Sequence, residues 1–223
     1  MSSPPAASLD AVCYSAEKSE GYYGNERADL VSALPRPIGR ALDVGCGAGA
    51  VAKLLRAEGA VHVVGVEVNE DVASSARRAL DDLRLGAIEA VLPSLDGPFD
   101  TICCYDVLEH LVDPGMVLSE LRARAAPGAH LQISVPNARH FSLLTDLIFR
   151  GTFGYTGWGH RDSTHLRWFT RRDIVELAER CGWRVIQTSH PALRRSHWLD
   201  RATRGRSTEF LVGQWYVLAT AAS

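Results

Sequence analysis

From Arg40 onward, short β-like runs alternate with stretches of helical periodicity. Ala41–Val44 is a short run that ends in glycines, and Val51–Glu58 carries apolar residues at 51, 54 and 55, a helical spacing. Val61–Val68 is rich in β-branched residues and reads as a second strand. Asn69 opens a helix with Glu70 and Asp71 in its first turn. Leu83–Leu85 reads as a third strand and Asp100–Tyr105 as a fourth, the latter preceded by the turn-forming Asp96-Gly97-Pro98. Asp113-Pro114 is an N-cap followed by proline, and that helix is expected to run to about Ala126, before Pro127-Gly128. Ala129–Val135 is the fifth strand. Such alternation predicts βαβ units, a mostly parallel sheet and helices on both faces.

Residues 136–169 break this rhythm with aromatic residues, Gly, His and Arg. A long irregular insertion inside a compact domain is usually functional, and its aromatic content argues against disorder. Thr170-x-x-Asp173 is a capping box for a helix that ends near Gly182. Trp183–Thr188 and Phe210–Thr220 read as the last strands, joined by an Arg-rich stretch from Arg194 to Arg206.

The 223 residues suit one domain, 1–223, with residues 1–37 as an N-terminal cover segment and 136–169 as a lid. With 46% apolar and 22% charged residues, a disordered chain, a collagen and a coiled coil are excluded. No apolar run approaches the roughly 18 residues of a membrane span. The start shows no signal-peptide pattern. Five cysteines without a CxxC fit a reducing cytoplasm better than a disulfide framework or a zinc ribbon. The net charge of −2 hides an asymmetry: residues 1–120 hold 9 Lys+Arg against 19 Asp+Glu, and residues 121–223 hold 15 against 7. The basic half is either a solvated face attracted to the acidic one or a cap that receives an anionic substrate. Its arginines are dispersed and no nucleic-acid motif accompanies them.

The strongest motif is Leu42-Asp43-Val44-Gly45-Cys46-Gly47-Ala48-Gly49, between a strand and a helix. Glycines let the backbone turn sharply and approach a ligand, and the helix start offers free N–H groups. Glu67 ends the next strand, where a carboxylate can accept both ribose hydroxyls of an adenosine. Gly45-x-Gly47-x-x-Ala50 also fits a dinucleotide fingerprint. Asp43, however, would repel a pyrophosphate and suits a cationic amino group, which favours S-adenosylmethionine.

With these motifs, the chain resembles the class I S-adenosylmethionine-dependent methyltransferases over roughly residues 20–190. The resemblance rests on LDVGCGAG, Val64-Gly65-Val66-Glu67, Phe99-Asp100-Thr101-Ile102, Asp106-Val107-Leu108-Glu109-His110-Leu111 and Ala126-Pro127-Gly128. Ser134-Val135-Pro136-Asn137 and Thr164-His165-Leu166-Arg167-Trp168-Phe169-Thr170 resemble a bacterial subgroup often found with glycan or natural-product pathways. The resemblance implies an α/β, Rossmann-like seven-stranded sheet with an antiparallel last strand. It places Gly45, Cys46 and Gly47 at the methionine part, Asp43 at the loop and amino group, Glu67 at the ribose and Val68 on the adenine. Tyr105 and Asp106 would border the methionine, with His110 as scaffold or cofactor support. Where the family often has Gly-Asp after strand three, this chain has Gly86-Ala87, which leaves the main chain at Ala87 and Ile88 to read the adenine edge. Tyr23 would cover the methyl site and Arg27 would meet the methionine carboxylate.

Methyl transfer from a sulfonium is an in-line displacement that a base assists when the acceptor is a hydroxyl or an ammonium. Of eight histidines, His165 with Asp162 nearby is the first candidate for that base and His140 the second. Asn137, Tyr155, Trp158, His160, Arg161 and Arg167 are expected at the acceptor, because arginine forks suit anions and aromatic faces suit a ring. The Asp106-x-x-Glu109-His110 spacing is related to an E-x-x-E-H metal site of some ubiquinone-pathway O-methyltransferases. Here a capped helix start with a packed histidine is preferred, and no metal is expected. The expected protein is therefore a cytoplasmic methyltransferase, monomer or homodimer, acting on a small molecule without nucleic-acid or membrane partners. The alternatives are a non-catalytic adenosyl-binding or assembly module and a nicotinamide-dependent oxidoreductase.

Overall fold

The computed structural model describes residues 27–157, 159–191 and 207–222. Tyr23 and the segment before Arg27, Trp158, and the Arg-rich stretch with His197 lie outside the described residues. Seven strands form one sheet: β1 (Gly39–Val44), β2 (Ala60–Glu67), β3 (Asp82–Leu85), β4 (Phe99–Tyr105), β5 (Ala125–Pro136), β6 (Trp183–Ser189) and β7 (Gln214–Ala221). Their order is β3-β2-β1-β4-β5-β7-β6, and β7 runs antiparallel to both of its neighbours. The other pairings, β1 with β2 and β4, β2 with β3, and β4 with β5, are parallel.

Period-two alternation in the central strands feeds two cores. Leu42, Val44, Ile102 and Cys104 face one side, while Ala41 and Cys103 face the other. The first core is covered by α5 (Pro114–Ala123) and α7 (Arg171–Arg180) through Val117, Leu118, Leu121, Ile174 and Ala178. The second is covered by α1 (Ala28–Ser32), α2 (Ala50–Ala57) and α3 (Glu70–Ala76) through Leu30, Val51, Leu55 and Ala76. The expected caps form: Asn69 accepts from the amides of Asp71 and Val72, Asp113 from that of Met116, and Thr170 and Asp173 make a reciprocal box. These caps satisfy amides that have no partner within the helix.

Two boundaries differ from expectation. The helix opened by Asp113 ends at Ala123 rather than Ala126, because Ala125 already pairs with Phe99 and β5 runs through Pro127-Gly128. The last strand starts at Gln214 rather than Phe210. Phe210 belongs instead to α8 (Thr208–Leu211), whose trailing carbonyls at Glu209 and Val212 are held by the Asn137 amide. Residues 136–169 contain α6 (Phe141–Thr145), a further helical turn at Asp146–Arg150 and a short turn at Gly159–Arg161. Their two ends meet where Asn137 bridges Phe169. Among the described residues, no helix is long and apolar enough to cross a membrane.

Candidate cofactor and acceptor site

The carboxyl ends of β1, β2, β4 and β5 deliver Gly45, Glu67, Asp106 and Asn137 to one edge of the sheet, where ligands bind in open α/β folds. The turn after β1 is drawn under β2 because the amides of Gly45 and Cys46 both donate to the Val66 carbonyl, at 2.8 and 3.0 Å. Gly45 has φ 72°, and a Cβ there would lie 2.6 Å from Val107 Cγ2, so glycine keeps this turn open. Glu67 is buried. Its Oε2 accepts from the Gly47 amide and its Oε1 from those of Val68 and Asn69, all at 2.9 Å. Three N–H donors fix the carboxylate, and lone pairs remain for ligand hydroxyls. Val68, at the end of β2, is partly exposed, as a surface for a flat ring requires.

Asp43 is 2% exposed, and its Oδ2 is buried without a hydrogen bond. Burial, reinforced by the negative charge of Glu67, pushes its carboxyl up to about 8. A ligand that brought a cationic donor would favour the ionised form. Cys46 is buried in the second core. Ala87 caps α4 (Ile88–Val91), and the Ile88 side chain is buried in the first core, which leaves only its backbone for a ligand.

The β4 side is organised by side chains that meet over long sequence distances. Asp106 takes a left-handed conformation, φ 56°, and forms an ion pair with Arg27. Its Oδ1 accepts from Ser134 Oγ at 3.0 Å and from Gln214 Nε2 at 2.8 Å, while Arg27 also donates to Gln214 Oε1 at 2.7 Å. Neither contact is legible in the sequence, although Ser134 lies in the Ser134-Val135-Pro136-Asn137 motif. The only signal for Gln214 was its place at the start of a strand whose register was unknown. The Tyr105 side chain, expected at the methionine, instead points into the core, where its hydroxyl donates to Gln132.

The histidines separate into two groups. His165 and Asp162 are buried, and Asp162 Oδ1 accepts from the amide and the hydroxyl of Thr164 at 2.9 and 2.7 Å. His110 Nδ1 meets the Thr164 carbonyl at 3.2 Å, and its ring lies edge-on to His165 with centroids 4.8 Å apart. The amides of Leu166 and Arg167 donate to the Glu109 carbonyl. His110 thus joins the turn after β4 to the insertion. Glu109, His110 and His165 each offer one ligand atom within 4.8 Å of the others, the one set among the described residues with a metal-binding arrangement. Asp106 is diverted to Arg27 and Gln214, so the D-x-x-E-H spacing does not close on one point.

The second group is His140 and His160, stacked with centroids 4.5 Å apart and 17° between planes. His160 Nε2 donates to the Gly213 carbonyl at 2.7 Å, which leaves Nδ1 as its basic nitrogen. His140 Nδ1 accepts from Ser142 at the start of α6. Burial and the neighbouring His160 bring His140 down to about 4, and burial lowers His160 as well. Both rings are therefore neutral near pH 7.

The remaining expected acceptor contacts are scattered. Asn137 is fully buried and acts as a strut, accepting from the Arg139 amide and donating to the carbonyls of Glu209 and Val212. Arg161 is paired with Asp146, and Arg167 donates to the carbonyls of Leu166 and Val112. Tyr155 is exposed beside Phe153.

A doubly wound sheet with an antiparallel β7, a glycine turn after β1 and a carboxylate ending β2 defines a Rossmann-like, nucleoside-binding class of α/β protein. The chain belongs to a methyltransferase family: the model described as a methyltransferase domain matches residues 17–188. It is 35% identical over 118 residues to a ubiquinone biosynthesis O-methyltransferase of Xylella fastidiosa (strain 9a5c), covering 50% of this chain and 48% of that protein. It is 36% identical over 130 residues to the protein of that name from Hahella chejuensis (strain KCTC 2396), covering 56% and 52%. The chain spans about half the length of the curated relatives it matches. Its fold is that of a SAM-dependent methyltransferase from Archaeoglobus fulgidus, with TM-score 0.59 and 21% identity over 81% of this chain and 85% of that one. The cosubstrate this family implies is S-adenosylmethionine. The cradle kept open at Gly45 and the buried Oδ2 of Asp43 fit a small ligand with a cationic amino group.

Proposed function

We propose that the chain transfers a methyl group from S-adenosylmethionine to an oxygen of a small molecule that combines a ring with an anionic group. The observation that carries this reading is the cradle of Gly45, Gly47 and Glu67 beside buried Asp43, whose Oδ2 has no hydrogen-bond partner and suits a cationic amino group rather than a phosphate. The named relatives are O-methyltransferases, which supports oxygen over nitrogen as the acceptor atom. Glu67 holds the ribose through its remaining lone pairs, Val68 packs on the adenine, and Asp43 receives the amino group. Arg27, Asp106 and Gln214 close the methionine end.

The sulfonium supplies an activated methyl group, so the protein orients the acceptor in line and takes its proton. Of the candidate bases, the geometry favours His160 over His165. His165 is buried behind the turn after β4. His160 neighbours Gln214 in the chain fold through Gly213, is neutral, and has its Nε2–H anchored on a carbonyl that steadies the imidazolium formed when Nδ1 accepts the proton. His140 stacks on it and holds the ring plane. The insertion 136–169 acts as the lid within a single domain.

The test is turnover to S-adenosylhomocysteine with a pool of cell-extract acceptors, followed by identification of the methylated product. Cofactor binding without turnover on any pool would favour an adenosyl-binding assembly module. The proposed transfer needs no metal, so exhaustive chelation should leave turnover intact. Loss of turnover on chelation, restored by a divalent ion, would shift the weight to Glu109, His110 and His165.

A further inference from the structure

We propose that Gln214 is a positioning residue that sets Arg27 against Asp106 at the methionine end of the site and registers that end with the acceptor base His160. The inference rests on the S-adenosylmethionine reading above. Arg27 and Asp106 are the two non-glycine residues with left-handed backbone among the described residues, at φ 43° and 56°. That conformation is unfavourable for a residue with a side chain and persists only where its surroundings over-determine it. Here the two such residues form an ion pair with each other at the ligand-facing edge. Gln214 bridges them: its Nε2 donates to Asp106 Oδ1 at 2.8 Å and its Oε1 accepts from Arg27 Nη1 at 2.7 Å. An amide suits this place because it donates to an anion and accepts from a cation without a charge of its own. The ion pair engages one nitrogen of the guanidinium and the amide engages a second, which together set the plane of the fork. A guanidinium has five N–H donors, so donors remain for a ligand carboxylate.

The position of Gln214 is fixed on both sides. It opens β7 opposite Pro136 of β5. Tyr216, the next residue on the same face, is buried in the core that also holds Leu30 of α1, the helix that Arg27 caps. The peptide unit before Gln214 serves the other half of the reaction. The Gly213 carbonyl accepts from His160 Nε2 at 2.7 Å and from the Asn137 amide at 2.9 Å. The anchor of the base and the bridge between Arg27 and Asp106 are thus joined by one planar peptide bond. A displacement of Gln214 moves the carbonyl that holds His160, and occupancy of the methionine end bears on the base through the same unit.

The experiment is titration calorimetry of the full chain and of Gln214→Leu with two ligands. S-adenosylhomocysteine carries the amino-acid end, and 5′-methylthioadenosine lacks it. The parent protein is expected to bind both. Gln214→Leu, which removes both bridging hydrogen bonds, should bind S-adenosylhomocysteine about five- to twentyfold more weakly. Its affinity for methylthioadenosine should stay within about twofold of the parent, which also shows that the variant is folded. Gln214→Glu keeps an acceptor for Arg27 but sets a second carboxylate against Asp106, and should show the same selective loss. Proton NMR of the imidazoles, with His160 assigned through His160→Gln, gives the second readout. Saturating S-adenosylhomocysteine should shift the His160 resonances in the parent protein and leave them unmoved in Gln214→Leu. Unchanged affinity for S-adenosylhomocysteine in both variants, an equal loss for both ligands, or the same His160 response in parent and variant overturns the proposal while the cofactor reading stands. Failure of the parent protein to bind either ligand overturns the cofactor reading and the proposal with it.

Discussion

The two ends of the ligand-facing edge are built by different means. At the β1–β2 end, the groups that hold Glu67 are backbone amides within a few residues of a glycine turn or of Glu67 itself. At the β4–β7 end, Asp106 is held by Arg27, Ser134 and Gln214, residues that only the tertiary fold brings together. The first end is a local motif and sits on strands whose pairing is regular from Arg40 to Val44. The second is a network of side chains beside an insertion that touches it where His160 meets the Gly213 carbonyl. Ribose and adenine recognition by the first, with the methionine end and the acceptor left to the second, would let the acceptor change without disturbing the cradle.

Substitutions at each end should separate these roles. The largest effect is expected at the acceptor end from His160→Gln. Loss of the base should lower kcat by about 10²–10⁴-fold while leaving cofactor affinity within about twofold. In the parent protein, the acid limb of the kcat profile should lie below the ordinary histidine pKa, because burial lowers His160 and a base acts in its neutral form. An unchanged kcat would remove His160 from the chemistry.

Asn137→Ala tests whether the insertion is anchored structurally rather than through the acceptor. It strands buried carbonyls at Glu209 and Val212 and should cost about 2–4 kcal/mol in urea unfolding. A change in acceptor KM with unaltered stability would return Asn137 to the binding surface.

The cradle end carries the opposite signature. Because Asp43 is harder to ionise in the folded chain than in the unfolded one, ligand-free stability should fall as pH rises from about 4 to 8 and level off above that. Asp43→Asn should remove that slope and raise stability at neutral pH by roughly 1–3 kcal/mol, while weakening the cofactor. Affinity for S-adenosylmethionine should in turn rise with pH up to about 8, as the proton is released on binding. Thermal melts across that range, with and without cofactor, read both trends. The smallest effect is expected from Arg161→Ala and Arg167→Ala, which should raise the KM of an anionic acceptor only a few-fold, because both side chains are already engaged with their own chain.

The same contrast explains what the sequence made legible. The β-branched run of β2, the capping residues Asn69, Asp113 and Thr170, and the glycine turn announce themselves because their physics is local. The antiparallel β7 is legible only through family resemblance, and it starts at Gln214 rather than Phe210 because the buried Asn137 amide holds the end of the helix that contains Phe210. Gln214 could not be seen as a partner of Asp106 without the register that sets Pro136 opposite Gln214. His165 sits in a recognisable motif, yet its burial beside His110 depends on how the insertion folds back on the turn after β4.

Assignment of the β1–β2 end as an S-adenosylmethionine site sets a clear expectation. It is tested most directly by titration calorimetry of the intact chain and of Glu67→Ala with S-adenosylmethionine and, separately, with NAD. One-to-one binding of S-adenosylmethionine is expected, with a loss of about 1–3 kcal/mol in the variant and no heat from NAD. Equal affinity of the two proteins for S-adenosylmethionine, or tighter binding of NAD, would contradict it.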